Sequence, residues 1–479
     1  MINQNSTKKL IILTLLIYIS HITYAVFLDR SLFADGSFFL LKLVTKDKGW
    51  PFFDDYQRMR LFVNLVNQFP TSFFLKIFNL TNLSILRFLF SLGMLCMPIF
   101  FYYLSWKLSV RANDYRVFIC AISCLIAFVI PSEIFSLNQS ITSIAIVWLL
   151  LHYLILNIQL SKRDLIAIAA LIFILLISHE SIAFWGPMIS LASLVGLNHI
   201  RKEKKSNDQI LDSIIFALTF VAGIFFMIKV FLFQTTHTSG QESYFSLLTL
   251  LKPNEIIYGN TAITILFLSS SLILILFKKI SFKSEIVLAP FIYTVALILV
   301  FLGFLPYLNN DFVSPGREFN YRFMITFCSP ILMIIAIFLP QMNKSIVLNS
   351  YRLNLVLICA SLIGASIWQN ANTYYWGRYV SLSKSYLSKK QEKFINPKDF
   401  FVELDNLKLG YLYRFSWDWT WPSFSIVFND QIKIEKIFIP TENYMSYFKP
   451  TNLENNSFYI PFTNLKDQSF FDITTFTQN

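Results

Sequence analysis

The chain has 479 residues, of which 55% are hydrophobic and only 14% charged, with a net charge of +12. So few charges cannot cover a water-facing globule of this length, which excludes an ordinary soluble enzyme. The basic residues fall in short clusters between apolar runs, not along a groove, which excludes nucleic acid as the partner the charge would otherwise suggest.

The apolar runs reach the ~17–25 residues that cross a hydrocarbon core, so the fold class implied is an all-α polytopic membrane protein. About eleven spans are predicted, at 10–27, 83–106, 115–131, 141–160, 165–179, 181–199, 210–233, 261–277, 284–303, 321–340 and 353–369. The first follows Lys8 and Lys9 as a secretory signal would. It is too long for one and lacks a small-residue cleavage site, so it reads as an uncleaved span. The five cysteines, Cys96, Cys120, Cys124, Cys328 and Cys359, all lie inside apolar runs. That placement argues against structural disulfides and a thiolate zinc site.

One set of loops is short and basic: Lys107, Arg111 and Arg116; Lys162 and Arg163; Arg201, Lys202, Lys204 and Lys205; Lys278, Lys279 and Lys283; Lys344 and Arg352. By the positive-inside rule these loops and the amino terminus are cytoplasmic. The alternating set, which includes a long first loop at 28–82 and a tail at 370–479, then lies outside.

Ionisable groups are costly near a bilayer, so their positions are informative. The first outer loop carries Asp29, Arg30, Asp35, Asp54, Asp55, Arg58 and Arg60. Asp35 precedes an aromatic run, Ser37 to Val44, which reads as a short helix lying along the membrane. A carboxylate in the first turn of that helix is held by the positive end of its dipole, and it either caps the helix or serves a reaction. Asp54 and Asp55 stand four and three residues before Arg58, close enough to pair on a helix face or to contact substrate.

Next comes Ser178-His179-Glu180-Ser181, between the fifth and sixth spans. No second histidine follows at zinc-protease spacing, so His179 and Glu180 belong either to a polar network or to a plain interfacial turn. Arg317 and Arg322, in SPGREFNYRF, run against the positive-inside trend and either clamp a lipid phosphate in a bidentate way or anchor to lipid headgroups. Arg87 and Lys229 near span ends read as snorkelling cations. In the tail, Tyr411 to Phe415, Phe424 to Phe428 and Ile432 to Ile439 read as strands of a small mixed α/β domain. Trp417, Trp419 and Trp421 would then share one strand face, as an aromatic core, a membrane belt or a stacking surface for sugar rings.

The long acidic first loop with FADGSFFLL, the GREFNYRFMI stretch before a late span and the soluble tail together resemble the GT-C superfamily of membrane glycosyltransferases. The resemblance in layout covers roughly the first 370 residues. It implies transfer of a sugar from a polyprenyl-phosphate carrier to a glycan, lipid or protein acceptor on the extracytoplasmic face. Asp35 would be the general base, and Arg317 and Arg322 would hold the phosphate. Asp54, Asp55 and Arg58 would contact substrate, and His179 with Glu180 would shape the site. Many members pair acidic residues in this loop, whereas Asp35 is followed by Gly36, so Asp29 or the Asp54–Asp55 pair stays open as the base. No cofactor is demanded; the outer carboxylates leave room for a divalent cation, although no ligand spacing requires one. A bacterial inner membrane fits the absence of outer cysteines. A transporter or flippase would place polar groups at mid-membrane, where His152 is the main candidate. A glycan polymerase or ligase would carry its large outer loop later in the chain.

Overall fold

The structure is a computed structural model that describes residues 4–33, 35–45, 61–78, 80, 82–125, 139–179, 181–202, 207–236, 325, 329–338, 344–392, 394–416, 420–428 and 436–438. It is mostly helical. In chain order the elements are α1 (Gln4–Phe27), a 3-10 turn (Arg30–Leu32), α2 (Asp35–Thr45), α3 (Leu61–Ile77), α4 (Leu83–Ala112), α5 (Arg116–Cys124), α6 (Gln139–Ile155), α7 (Lys162–Leu176), α8 (Ile182–Lys202) and α9 (Asn207–Thr236). There follow α10 (Ser329–Phe338), α11 (Lys344–Lys389), β1 (Phe394–Ile395), α12 (Pro397–Asn406), a second 3-10 turn (Gly410–Phe415), α13 (Trp421–Val427) and β2 (Ile437–Phe438).

Among the described residues, α4 and the Ile210–Lys229 part of α9 are long and apolar enough to cross a membrane. Ile12–Phe27, Ser140–Ile155 and Ile182–Asn198 are shorter apolar helices at sites of predicted spans. The spans expected at 261–277 and 284–303 lie outside the described residues. Helix α11 continues through residue 369, where the sequence suggested that the tail begins.

Two compact units form. The first comprises residues 1–19, 98–309 and 314–368; the second comprises 20–97, 310–313 and 369–479. In the first, α6 is the centre: every residue from Ser140 to His152 is buried, as expected of a helix apolar on all sides. Within it, His152 is buried and its Nδ1 lies 2.6 Å from the Trp148 carbonyl one turn back on its own helix. Helices α8 and α9 pack closely along small residues. A Cβ on Gly186 would collide with the carbonyl oxygen of Gly223, and Ser190 Oγ donates to the Phe220 carbonyl at 2.8 Å. This is the small-residue contact that lets helix backbones approach.

The second unit holds two departures from expectation. The tail was read as strands, yet Gly410–Phe415 is a 3-10 turn and Trp421–Val427 a helix opened by Pro422. The strand pairing among the described residues is short: Ile437–Phe438 runs parallel to Phe394–Ile395. The aromatic residues that suggested β structure pack on one another instead. Trp421 lies against Phe401, Phe424 and Phe438, and Tyr413 Oη donates to the Phe401 carbonyl at 2.7 Å. Tertiary packing overrides strand propensity here. Trp417 and Trp419 lie outside the described residues, and Trp421 sits at the head of a helix, so the three-indole strand face does not form through Trp421.

The helix expected at 37–44 is present as α2, and its Ser37 to Leu41, Leu43 and Val44 are all buried, with α2 packed on α13 and the first 3-10 turn. Helix α3, which the sequence reading passed over, is inverted. It buries Asn64, Asn67, Gln68, Thr71 and Ser72 and exposes Phe69, Phe73, Phe74 and Ile77.

Candidate functional site

Among the described residues of the second unit, Asp29, Arg30 and Arg87 gather where the chain leaves α1. Asp29 adopts a left-handed conformation (φ 51°) and turns the chain into the 3-10 turn, whose Leu32 N–H donates to the Asp29 carbonyl at 2.9 Å. A non-glycine residue at positive φ is uncommon, and aspartate is among the few that tolerate it. The turn aims its carboxylate at Arg87 of α4: Nε lies 3.0 Å from Oδ2. The remaining nitrogens of that guanidinium are also engaged, Nη1 with the Val427 carbonyl at 2.9 Å and Nη2 with Ser84 Oγ at 3.0 Å. Arg87 therefore does not snorkel. It ties residues 340 apart in sequence.

Arg30 follows directly and is 3% exposed. Its guanidinium carbon lies 4.7, 5.4 and 5.6 Å from the ring centroids of Phe33, Phe415 and Trp376. Trp376 in turn donates its indole N–H to the Leu28 carbonyl at 3.1 Å. A cation among ring faces away from water gains on the order of 2 kcal/mol from their quadrupoles. Beside it, Ser31 Oγ donates to Ser91 Oγ at 2.5 Å.

Asp35 is the first residue of α2, in the turn where a helix dipole favours a carboxylate. Its helix starts just after this cluster. Asp54, Asp55, Arg58, Glu180, Arg317 and Arg322 lie outside the described residues.

In the first unit, His179 occupies the turn between α7 and α8. The Ser181 backbone N–H donates to its Nδ1 at 3.2 Å, so that nitrogen is the acceptor and a neutral ring carries its proton on Nε2. The Ser181 hydroxyl lies 3.0 Å from the same nitrogen. Nearby, Lys229 Nζ donates to the carbonyl of Leu176, the last residue of α7, at 2.6 Å. A cation there satisfies an open carbonyl and complements the helix dipole, which a snorkelling lysine would not do.

A cavity of about 440 Å³ opens at the other end of α7, lined by Arg111, Asn157, Gln159 and Ser161 among others. Its arginine is already committed, to Asp164 at 2.9 Å and to the Gln159 carbonyl. Among the described residues no three His, Cys, Asp or Glu side chains gather as metal ligands.

The sequence thus offered Asp35 and His179, with Asp29 as an alternative base, but not the pairing of Asp29 with Arg87 or the burial of Arg30. The available signal was the cost of Arg87 inside an apolar run, which calls for a buried partner more strongly than for a path to water. No family model, curated protein or solved structure matches this chain.

Proposed function

We propose that the chain is a membrane glycosyltransferase of the GT-C kind, moving a sugar from a polyprenyl-phosphate carrier to a glycan, lipid or protein acceptor at the extracytoplasmic face of a bacterial inner membrane. The reading includes about eleven spans, a cytoplasmic amino terminus and an extracytoplasmic tail, all of which rest on the alternation of basic loops. One observation carries it furthest. The first loop and the segment that follows the last predicted span share one compact unit, with Asp29, Arg30 and Arg87 buried or half-buried within it.

In this reading a carboxylate takes the proton of the acceptor hydroxyl, whose oxygen bonds to the anomeric carbon as the bond from that carbon to the phosphate oxygen breaks. The electron pair leaves with the phosphate. Asp29 already has a structural partner in Arg87, which favours Asp35 as the base. Arg317 and Arg322 would receive the phosphate, Asp54, Asp55 and Arg58 the substrate, and His179 with Glu180 would support the site.

The test is a surface-glycan mass profile of a deletion strain complemented with wild-type, Asp35→Asn or Asp29→Asn chains at equal membrane abundance. Wild type should restore one missing sugar, and Asp35→Asn should restore none. Full restoration by Asp35→Asn with none by Asp29→Asn would move the base to Asp29. A deletion that alters no glycan would overturn the enzyme reading and bring transport forward.

A further inference from the structure

Helix α3 carries a polar face that nothing above uses. Asn64, Asn67, Gln68, Thr71 and Ser72 follow the i, i+3, i+4, i+7, i+8 spacing of one helix face, and none is more than 2% exposed. The opposite face presents Phe69, Phe73, Phe74 and Ile77 outward. That polarity is the reverse of a water-washed amphipathic helix and suits one that turns its rings to lipid.

Buried amides and hydroxyls are kept when something bonds them, because leaving them unmade costs their full desolvation. Yet Asn64 Nδ2, Gln68 Nε2 and Oε1, Thr71 Oγ1 and Ser72 Oγ have no hydrogen-bond partner among the described residues. The helix cannot easily shift to relieve this. It crosses α4 at Gly93, where an added Cβ would collide with the Asn67 carbonyl and lie 3.4 Å from Pro70 Cδ. Apolar residues would fill such a seam at less cost, so its composition demands an explanation in binding.

The face offers amide donors, amide acceptors and hydroxyls, and no charge. Phosphate and carboxylate groups recruit cations, whereas a sugar ring presents neutral hydroxyls that both donate and accept. We propose that the buried face of α3 is a binding site for a neutral, hydroxyl-rich ligand, the sugar portion of a substrate, with Gln68 and Ser72 among its direct contacts. This deepens the glycosyl-transfer reading and rests on it for the source of the sugar.

The test uses the full chain in lipid nanodiscs, with the natural cysteines replaced and Ser72→Cys or Gln68→Cys introduced. The rate of modification by aminoethyl methanethiosulfonate is followed alone, with glucose, mannose, galactose or N-acetylglucosamine, with undecaprenyl-phosphate-glucose, and with bare undecaprenyl phosphate. Binding of the two lipids to wild type is measured in parallel. Both thiols should react, and a sugar-bearing probe should slow them about tenfold, while the bare lipid should not. Protection by a free sugar without binding of either lipid supports the seam and counts against the polyprenyl carrier. Binding of the glucosyl lipid with unchanged labelling at both positions overturns the seam and leaves the carrier reading standing. Thiols that do not react, or that react and are slowed by no probe, overturn the seam as well. Gln68→Leu supplies a folding control: removing an orphaned amide should keep or raise the melting temperature. Combined with Ser72→Cys, it should abolish protection of the introduced thiol. Retained protection would overturn the role of Gln68.

Discussion

The two units hold themselves together by opposite means. In the first, the most extensive contact joins α8 to α9, neighbours in sequence, and its closest packing uses the smallest side chains. Gly186, Ser190 and Gly223 bring α8 against α9 at backbone distance, while Ser193 and Thr219 return their hydroxyls to their own helices, at 2.9 Å to Ile189 and 2.7 Å to Ile215. In the second, residues 20–97 must be joined to residues beyond 369, and the largest side chains do it. Trp376 meets Phe33, Phe415, Phe424 and Phe428 edge to face, with Arg30 inserted among the rings. The loop that closes on this contact is long, so the contacts must offset a large ordering entropy, and wide rings and forked cations supply more per side chain than glycine or serine can. Helices adjacent in sequence carry little such cost and can be specified by shape alone.

The comparison predicts that the first unit breaks when something is added and the second when something is removed. The largest effect belongs to Gly186→Leu. The new side chain would meet the Gly223 backbone, which cannot rotate away, and overpacking of this kind costs upwards of about 3 kcal/mol. The protein should lose its monodisperse peak in fluorescence-detected size exclusion. Gly364→Ala, where an added Cβ meets nothing within 4 Å, should keep that peak and its melting temperature. Equal behaviour of the two variants would show that α8 and α9 are not in backbone contact.

Arg87→Ala comes next and tests the second unit by removal. It leaves the Asp29 carboxylate and the Val427 carbonyl without the guanidinium that bonds both, a loss on the order of 3 kcal/mol for a largely buried pair. Arg87→Lys keeps the charge but cannot serve three acceptors in a fork, so its melting temperature should fall between those of wild type and Arg87→Ala. If lysine matches arginine, charge alone matters and the span-to-tail tie is not geometric.

How much of this could be read from the chain follows the same division. Helices such as α4, α6 and α9 were legible because long apolar runs leave the backbone no other way to satisfy its hydrogen bonds. The 3.6-residue period of α3 was present in the sequence, but Asn64, Asn67, Gln68, Thr71 and Ser72 carry no local sign of burial, since polar groups usually face water. Its inversion becomes visible only when burial is known. Two of the three strands expected in the tail were misread because Phe and Trp favour strands in isolation, whereas here Trp421 packs on Phe401 and Phe438 from separate elements and Phe415 on Phe33, contacts that no local pattern shows. For the same reason Asp35 could be placed near a helix start, while the pairing of Asp29 with Arg87 needed the fold.

The smallest predicted effect sharpens the comparison, because it concerns a charged pair in the unit whose helices α8 and α9 meet through shape. Asp164 caps α7 reciprocally with Ser161: its Oδ2 accepts from the Ser161 N–H at 2.7 Å, and its own N–H donates to Ser161 Oγ at 3.3 Å. Arg111 Nη1 adds an ion pair at 2.9 Å. Burial pushes this carboxyl up, but the Ser161 bonds and the Arg111 guanidinium outweigh it and hold the group below the usual carboxylate range. A depressed carboxylate stabilises the fold above its unfolded value, about 3.9, and loses that contribution as pH falls through the lower folded value. Asp164→Asn keeps a capping oxygen and loses the ion pair, so it should cost about 1 kcal/mol or less at neutral pH. Melting temperatures of wild type and variant should differ by a constant amount from pH 7 to about 5 and converge below about 4. Added salt should narrow the neutral-pH gap, since Arg111 is 41% exposed. A gap that persisted unchanged into strong acid would mean that Asp164 acts through the shape of its cap, as the glycines of α8 and α9 do, and not through its charge.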